Sequence, residues 1–245
     1  MLARLRIKVE SEELNYRSSS LMQGIMFEHI DADYAAFLHS QSMHPYSQYI
    51  RWEDSHPVWV IQTLNKKAYQ EIILPLMDSD FQSFYLRKMD AEIPLLTKQV
   101  ETLTKKELLE EFYEGDTEGR FSVSFLSATS FRQNGKYCIL PDVRLVFQNL
   151  MNRYSATSEQ VEMRDDDILE EIINRVYITR FRANSVSFPM EGIRIPGFMG
   201  NVTFQVKSKD TLKRYIRMLL RFGEYSGVGI KTGMGMGAFC INGGQ

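Results

Sequence analysis

The chain has 245 residues, 44% of them hydrophobic and 24% charged, a composition typical of globular domains. No stretch of eighteen apolar residues occurs, which excludes a membrane-spanning helix, and "MLARLRIKVESEE" turns charged at once, unlike an export signal. The net charge of −2 taken alone argues against nucleic acid, and the two cysteines, Cys138 and Cys240, are too far apart to form a motif, so two reduced core thiols in a cytoplasmic protein are expected.

In chain order, "ARLRIKV" alternates apolar and charged residues, as a half-buried strand does. "SSSLMQGIMFEHI" places serine caps before an apolar stripe at Met22, Ile25, Met26, His29 and Ile30, which is helical spacing. "DADYAAFLHS" predicts a second short helix. "YSQYIRW" and "PVWVIQTL" read as strands joined by the turn "EDSH". "NKKAYQEIILPLM" is the next helix, with Asn65 as its cap, and "FQSFYLRKM" and "IPLLTKQVETL" are extended. The order strand, helix, strand, strand, helix, strand is that of a ferredoxin-like split βαβ unit. "KKELLEEFYEGDTEGR" is acidic, ends in glycines and offers no core strand, so the unit boundary is placed near Gly115–Gly119.

The second half repeats the pattern. "FSVSFLSATSF" and "KYCIL" flank "RQNG", whose Asn134–Gly135 tolerates the positive φ of a tight hairpin. "PDVRLVFQNLMNRY" and "DDDILEEIINRV" are helices with acidic starts. "YITRFRANSVSF" and "GNVTFQVK" are strands with a basic insertion between them, broken by glycine and proline. "DTLKRYIRMLLRF" is a helix capped at Asp210 or Ser208 and ending at Gly223, and "GAFCI" is a last strand. The predicted fold is α+β, two tandem ferredoxin-like units at residues 1–115 and 120–245.

Charge is distributed unevenly along the chain. Residues 1–119 carry a net −8 and residues 120–245 a net +6, and between Arg175 and Lys231 eleven basic residues meet three acids. Such asymmetry suits a polyanion, or a basic surface that pairs with the acidic half. On the last helix, Lys213, Arg214, Arg217 and Arg221 fall on one stripe. The stretch "GVGIKTGMGMG", Gly227–Gly237, follows a helix and lacks the Gly-Lys-Ser/Thr of a Walker loop and the G-x-G-x-x-G of a dinucleotide fold. What remains is close backbone approach, to another domain or to phosphates that would accept its N–H groups, with Lys231 at the tip.

Two Gly-φ-Gly clasps, five residues apart and near the C-terminus, resemble the signature loop of the CRISPR repeat-cleaving endoribonucleases, the sixth Cas protein family of the RAMP superfamily. "LLRFGEYSGVGIKTGMGMGAFCI" is most similar to members accompanying type III systems, and "LMQGIMFEHI" and "FLHSQSMHPYS" resemble the first helix and the catalytic histidine region. The resemblance implies two ferredoxin-like domains and metal-independent cleavage of precursor CRISPR RNA within each repeat. In that reaction the 2′-hydroxyl attacks the phosphate, leaving 2′,3′-cyclic phosphate and 5′-hydroxyl ends, with no cofactor and no metal. By the same resemblance His39 matches the catalytic position, and His44, near a lysine of some relatives, is expected as a second catalytic or RNA-contacting group, while Phe27 stands where some place a tyrosine. His29 reads as a core histidine and His56 as structural. RNA contacts are expected from Lys231, Gly227, Gly229, Gly235, Gly237, Arg180, Arg182, Arg194 and Arg132. The implied partner is the repeat RNA, with transient handover to an effector complex, no DNA and no membrane, from a monomer or homodimer. The rival readings are a non-catalytic RNA-binding effector subunit and, from another class, an interaction module whose basic face pairs with its own acidic half.

Overall fold

The computed structural model describes residues 1–114, 118–157, 165–190 and 192–242. In the first half, β1 (Leu2–Val9) is followed by α1 (Ser19–Glu28), α2 (Ala32–Ser40), β2 (Tyr46–Glu53) and β3 (His56–Thr63). A helical stretch comes next, from α3 (Lys66–Ala68) through a π turn at Tyr69–Ile73 into α4 (Leu74–Met77), and then β4 (Ser83–Leu86) and β5 (Ala91–Leu103). Pro75 lacks the N–H that the ladder needs, and the helix widens just before it. The strands lie in the order β2-β3-β1-β5-β4, all antiparallel. Alternation in β1 decides which face is inside: Ala3, Leu5, Ile7 and Val9 are buried under α1 and α2, while Arg4, Arg6 and Lys8 line the other face. Asp31 and Asn65 accept from Tyr34 N and Ala68 N, capping their helices.

The second half holds β6 (Arg120–Thr129), the short β7 (Phe131–Gln133) and β8 (Lys136–Cys138), then α6 (Val143–Thr157) and α7 (Asp166–Arg175). It closes with β9 (Val176–Met190), β10 (Ile193–Val206), α8 (Asp210–Ser226) and β11 (Phe239–Asn242). The sheet order β11-β6-β10-β9 sets the last strand beside the first, then the third, then the second. Setting aside edge strand β4, the first sheet has the same arrangement, which is the ferredoxin-like one expected.

Several local expectations are corrected. The acidic stretch before the boundary forms a helix, α5 (Lys105–Glu114), because Leu108, Leu109 and Phe112 share a face. That face packs on α8 beside Leu2, Leu64 and Phe222. Of the boundary glycines, Gly115 lies outside the described residues. The hairpin at Asn134–Gly135 forms, with positive φ at both, but it is a separate two-stranded ribbon, β7–β8. β6 pairs instead with β10 and β11. The segment read as a broken insertion is a continuous ladder, β9 on β10 from Val176 to Val206. Pro189 and Pro196 are tolerated because that end of the hairpin runs past β6, where no third strand needs their N–H. Helix α8 starts without a side-chain cap and runs four residues beyond Phe222. Gly223 is inside it, at a point where a methyl group would strike Phe239 and Leu150. Both cysteines are free, but half-buried rather than in the core.

Helix α8 joins the two halves. Its C-terminal carbonyls, which have no helical partner, are met by the first sheet: Ser47 Oγ donates to Tyr225 O at 2.6 Å and Arg4 Nη2 to Glu224 O at 3.0 Å. Arg4 also stacks over the Tyr225 ring, 4.4 Å from its centroid. The basic stripe is therefore no solvated face: Lys213 pairs with Asp210 and Arg221 with Glu224, and the helix is largely buried.

Candidate active site

The glycine stretch comes straight out of α8, and its geometry explains its composition. Gly227, Gly229, Gly235 and Gly237 all have φ between 65° and 105°, a region closed to most side chains. They are also packed against protein: a methyl group would meet Ser130 O at Gly229, Ser19 at Gly235 and Val228 O at Gly237. All four N–H groups are used internally, by Gly223 O, Asn149 Oδ1, Thr232 O and Ala128 O. These four glycines, expected to contact RNA, have an architectural role in the structure, since their N–H groups are already used within the protein. They fold the loop flat so that its tip, Lys231–Gly233, reaches the first half.

There Gln48 Nε2 donates to Gly233 O at 3.2 Å and to Ser19 O at 2.7 Å, while Gln48 Oε1 accepts from the Trp59 indole at 3.0 Å. A methyl group on Gly233 would press on Tyr46 and His44. The tip thus lies on the segment that carries the second histidine. Lys231, exposed and left-handed at φ 58°, faces the same place.

His39 and His44 are brought together by a row of rings. His39, exposed in the last turn of α2, meets the edge of Phe27 at 4.8 Å between centroids. Phe27 stands edge-on to Tyr46 at 6.4 Å, and Tyr46 lies 5.3 Å from His44. Phe27 cannot transfer a proton, but it orients His39. Tyr46 is fully buried, its hydroxyl accepting from Gln23 Nε2 at 2.6 Å, and burial pushes its ionisation far up, so it supports rather than reacts. His44 is half-buried and its pKa is lowered, first by desolvation and then by the positive charges of Arg153, Lys231 and His39. The Leu38 carbonyl pulls the other way. No acid acts on it. A neutral imidazole beside an exposed one, inside a cationic rim, can accept a proton and return another.

His29 is corrected from core residue to an exposed C-cap of α1, its Nδ1 2.8 Å from Ile25 O and its ring against Phe81. His56 starts β3, with Nδ1 3.0 Å from Asp54 O in the turn.

Comparison with known proteins fixes the family. The model of the CRISPR-associated endoribonuclease Cas6 family matches residues 123–239. A Cas6 endoribonuclease of Mycobacterium tuberculosis is 38% identical over 90% of this chain and 70% of its own length. One from Streptococcus thermophilus is 34% identical over 87% of each chain. This chain belongs to the Cas6 family. Its fold is also that of solved Cas6 structures: a Cas6 product complex has a TM-score of 0.83 at 21% identity, covering 98% of this chain and 99% of its own. Another Cas6 product complex has a TM-score of 0.79 at 19% identity, covering 98% and 100%. The Cas6 relatives are named endoribonucleases, and the enzyme reading, rather than the non-catalytic subunit, is the one they support.

The remaining predicted RNA contacts lie elsewhere on this Cas6 chain. Arg180 and Arg182 pair across the ladder with Thr203 and Asn201, so both occupy the sheet face opposite the core residues Val202 and Phe204. Arg194 is near the β9–β10 tip and Arg132 on the small ribbon; all four are exposed. None acts on His44. The hairpin is tied to the site by packing: its Phe188 and Ile195 bury against Ile230 and Met236, which flank the loop tip. Sequence reasoning missed Gln23, Gln48, Tyr46 and Arg153. Tyr46 and Gln48 were read only as parts of a strand, Gln23 and Arg153 only as parts of helices, and the hydrogen-bond partners of Gln23, Tyr46 and Gln48 are more than twenty residues away except for Trp59.

Proposed function

We propose that this chain cleaves precursor CRISPR RNA within its repeats, without a metal, through His39, His44 and Lys231. The carrying observation is their convergence, from α2, the following loop and the glycine-loop tip. His44, held neutral, takes the proton of the ribose 2′-hydroxyl as its oxygen attacks the adjacent phosphorus. His39, on the open rim, gives a proton to the departing 5′-oxygen. Lys231 offsets charge on the phosphorane. A 2′,3′-cyclic phosphate and a 5′-hydroxyl result, and no cofactor is used. Arg180, Arg182, Arg194 and Arg132 grip the RNA, and affinity falls steeply with salt. The two units, 1–115 and 120–245, divide this labour into chemistry and grip. We place the reaction in the cytoplasm, by a monomer or homodimer that hands product on to an effector complex.

The test is incubation with repeat RNA in EDTA. A single cut with cyclic-phosphate ends, abolished in His39→Ala, supports the reading. Absence of a discrete cut, or a His39→Ala variant as fast as wild type, sinks it.

A further inference from the structure

Arg153, near the C-terminal end of α6, stands out among the buried polar groups. Only 4% of it is exposed, and its Nε and Nη2 make no hydrogen bond. It forms no ion pair among the described residues, and burial alone pulls its pKa down to about 10. A buried guanidinium is normally paired or fully hydrogen-bonded, because an uncompensated charge there costs several kcal/mol. His44 Nδ1 is likewise buried and unbonded. Arg153 from α6, Lys231 from the glycine loop and His39 from α2 all raise the positive potential at His44, and no carboxylate offsets them. The protein has gathered cations around an unfilled set of donors. The group that satisfies them is an anion, brought in from outside.

We propose that Arg153 is the buried half of a phosphate-binding site whose exposed half is Lys231, and that the RNA phosphodiester at the histidines supplies the missing counter-charge. This rests on the cleavage reading above and adds the residue that holds the phosphate. A guanidinium suits the task, since its planar fork can engage two phosphate oxygens while remaining charged. Burial makes each such bond stronger than it would be in water. In the free protein the charge is a cost; with phosphate bound it becomes a contact.

The two states make opposite demands, and that gives the test. Arg153→Met is compared with wild type in thermal unfolding, with and without inorganic phosphate, and in single-turnover cleavage. Without anion the variant melts at the wild-type temperature or above it, since an unpaired buried charge has been removed. Phosphate raises the melting temperature of wild type but not of the variant. Cleavage falls by about 10²-fold, the usual loss on removing one donor to transition-state charge. The salt slope for binding 2′-deoxy repeat RNA shrinks by about one. The acidic limb of the pH–rate profile moves up, because Arg153 no longer holds His44 down beside Lys231 and His39, with the Tyr46 ring packed against it. If Arg153→Met melts lower and cutting returns on cooling, the residue is structural and the proposal fails. Arg153→Gln covers the case in which Met does not fold: a folded Gln variant cutting at the wild-type rate also overturns it. Should wild type cut no repeat RNA, the cleavage reading fails, while the phosphate-induced shift still decides the anion site.

Discussion

The two halves share one strand order but treat their arginines in opposite ways. On the open face of the first sheet, Arg4 pairs with Glu101, and Arg6 and Arg51 both with Glu53. In the second half, Arg180 and Arg182 on the face of the sheet away from its core, Arg194 near the β9–β10 tip and Arg132 on the small ribbon form no ion pair among the described residues. A cation already held by a carboxylate gains little from a phosphate, whereas a free one releases counter-ions when it binds. If these arginines grip RNA as proposed, the footprint is set by which cations lack acids, more than by the net charge of a half. In the proposed mechanism the histidines belong to the acidic half, and the basic half acts on His44 through Lys231 at the loop tip and Arg153 on α6.

The comparison is most sharply tested at the histidine. His39→Ala should reduce single-turnover cleavage by about 10²–10⁴-fold, with RNA affinity and melting temperature nearly unchanged, since the ring is exposed. A parallel loss of affinity would place grip in the first half too. Next comes the hinge between the halves. Gly235→Ala, at φ 105° and facing Ser19, should destabilise the fold by about 2 kcal/mol or more. Chemical denaturation reads this directly, and a neutral result would mean the loop does not dock as described. In the second half, replacing Arg180 and Arg182 by Ala should leave the rate of cutting at saturating RNA unchanged. Affinity should fall about tenfold and the salt slope by about two. Arg6→Gln, in the first half, should leave affinity and slope nearly as they are, because Arg6 is already held by Glu53, which it shares with Arg51.

A pH effect separates the halves more finely. The folded pKa of His44 lies below the unfolded value of about 6.5. The unfolded chain thus binds the proton first, so this group leaves stability intact above about pH 6.5 and erodes it as pH falls from there towards the folded pKa. His44→Gln should flatten the melting temperature across that window. An unchanged acid slope would show that His44 is not held neutral.

Much of this was legible in the chain. Alternation in β1, the Asp31 and Asn65 caps, the Asn134–Gly135 turn and the two Gly-φ-Gly clasps act over a few residues, and periodicity or φ preference reveals them. The ferredoxin-like order followed from the sequence of those elements, and the proposal of His39 came from the family motif. The acidic stretch before the boundary was read only as lacking a core strand; its helix was not legible because its three apolar residues gain meaning only against α8. The surroundings of the basic stripe of α8 were not legible for the same reason: a helix wheel shows a face, not what covers it.

Local sequence thus determined the elements and their order, and the family resemblance singled out His39 as the histidine to test. Tertiary structure alone decided where the glycine loop points, which arginines are left free and why His44 stays neutral. Those properties depend on burial and on charges brought together from α2, α6 and the loop tip, far apart along the chain. Desolvation and Coulomb energy act through space, so no local pattern of residues can express them.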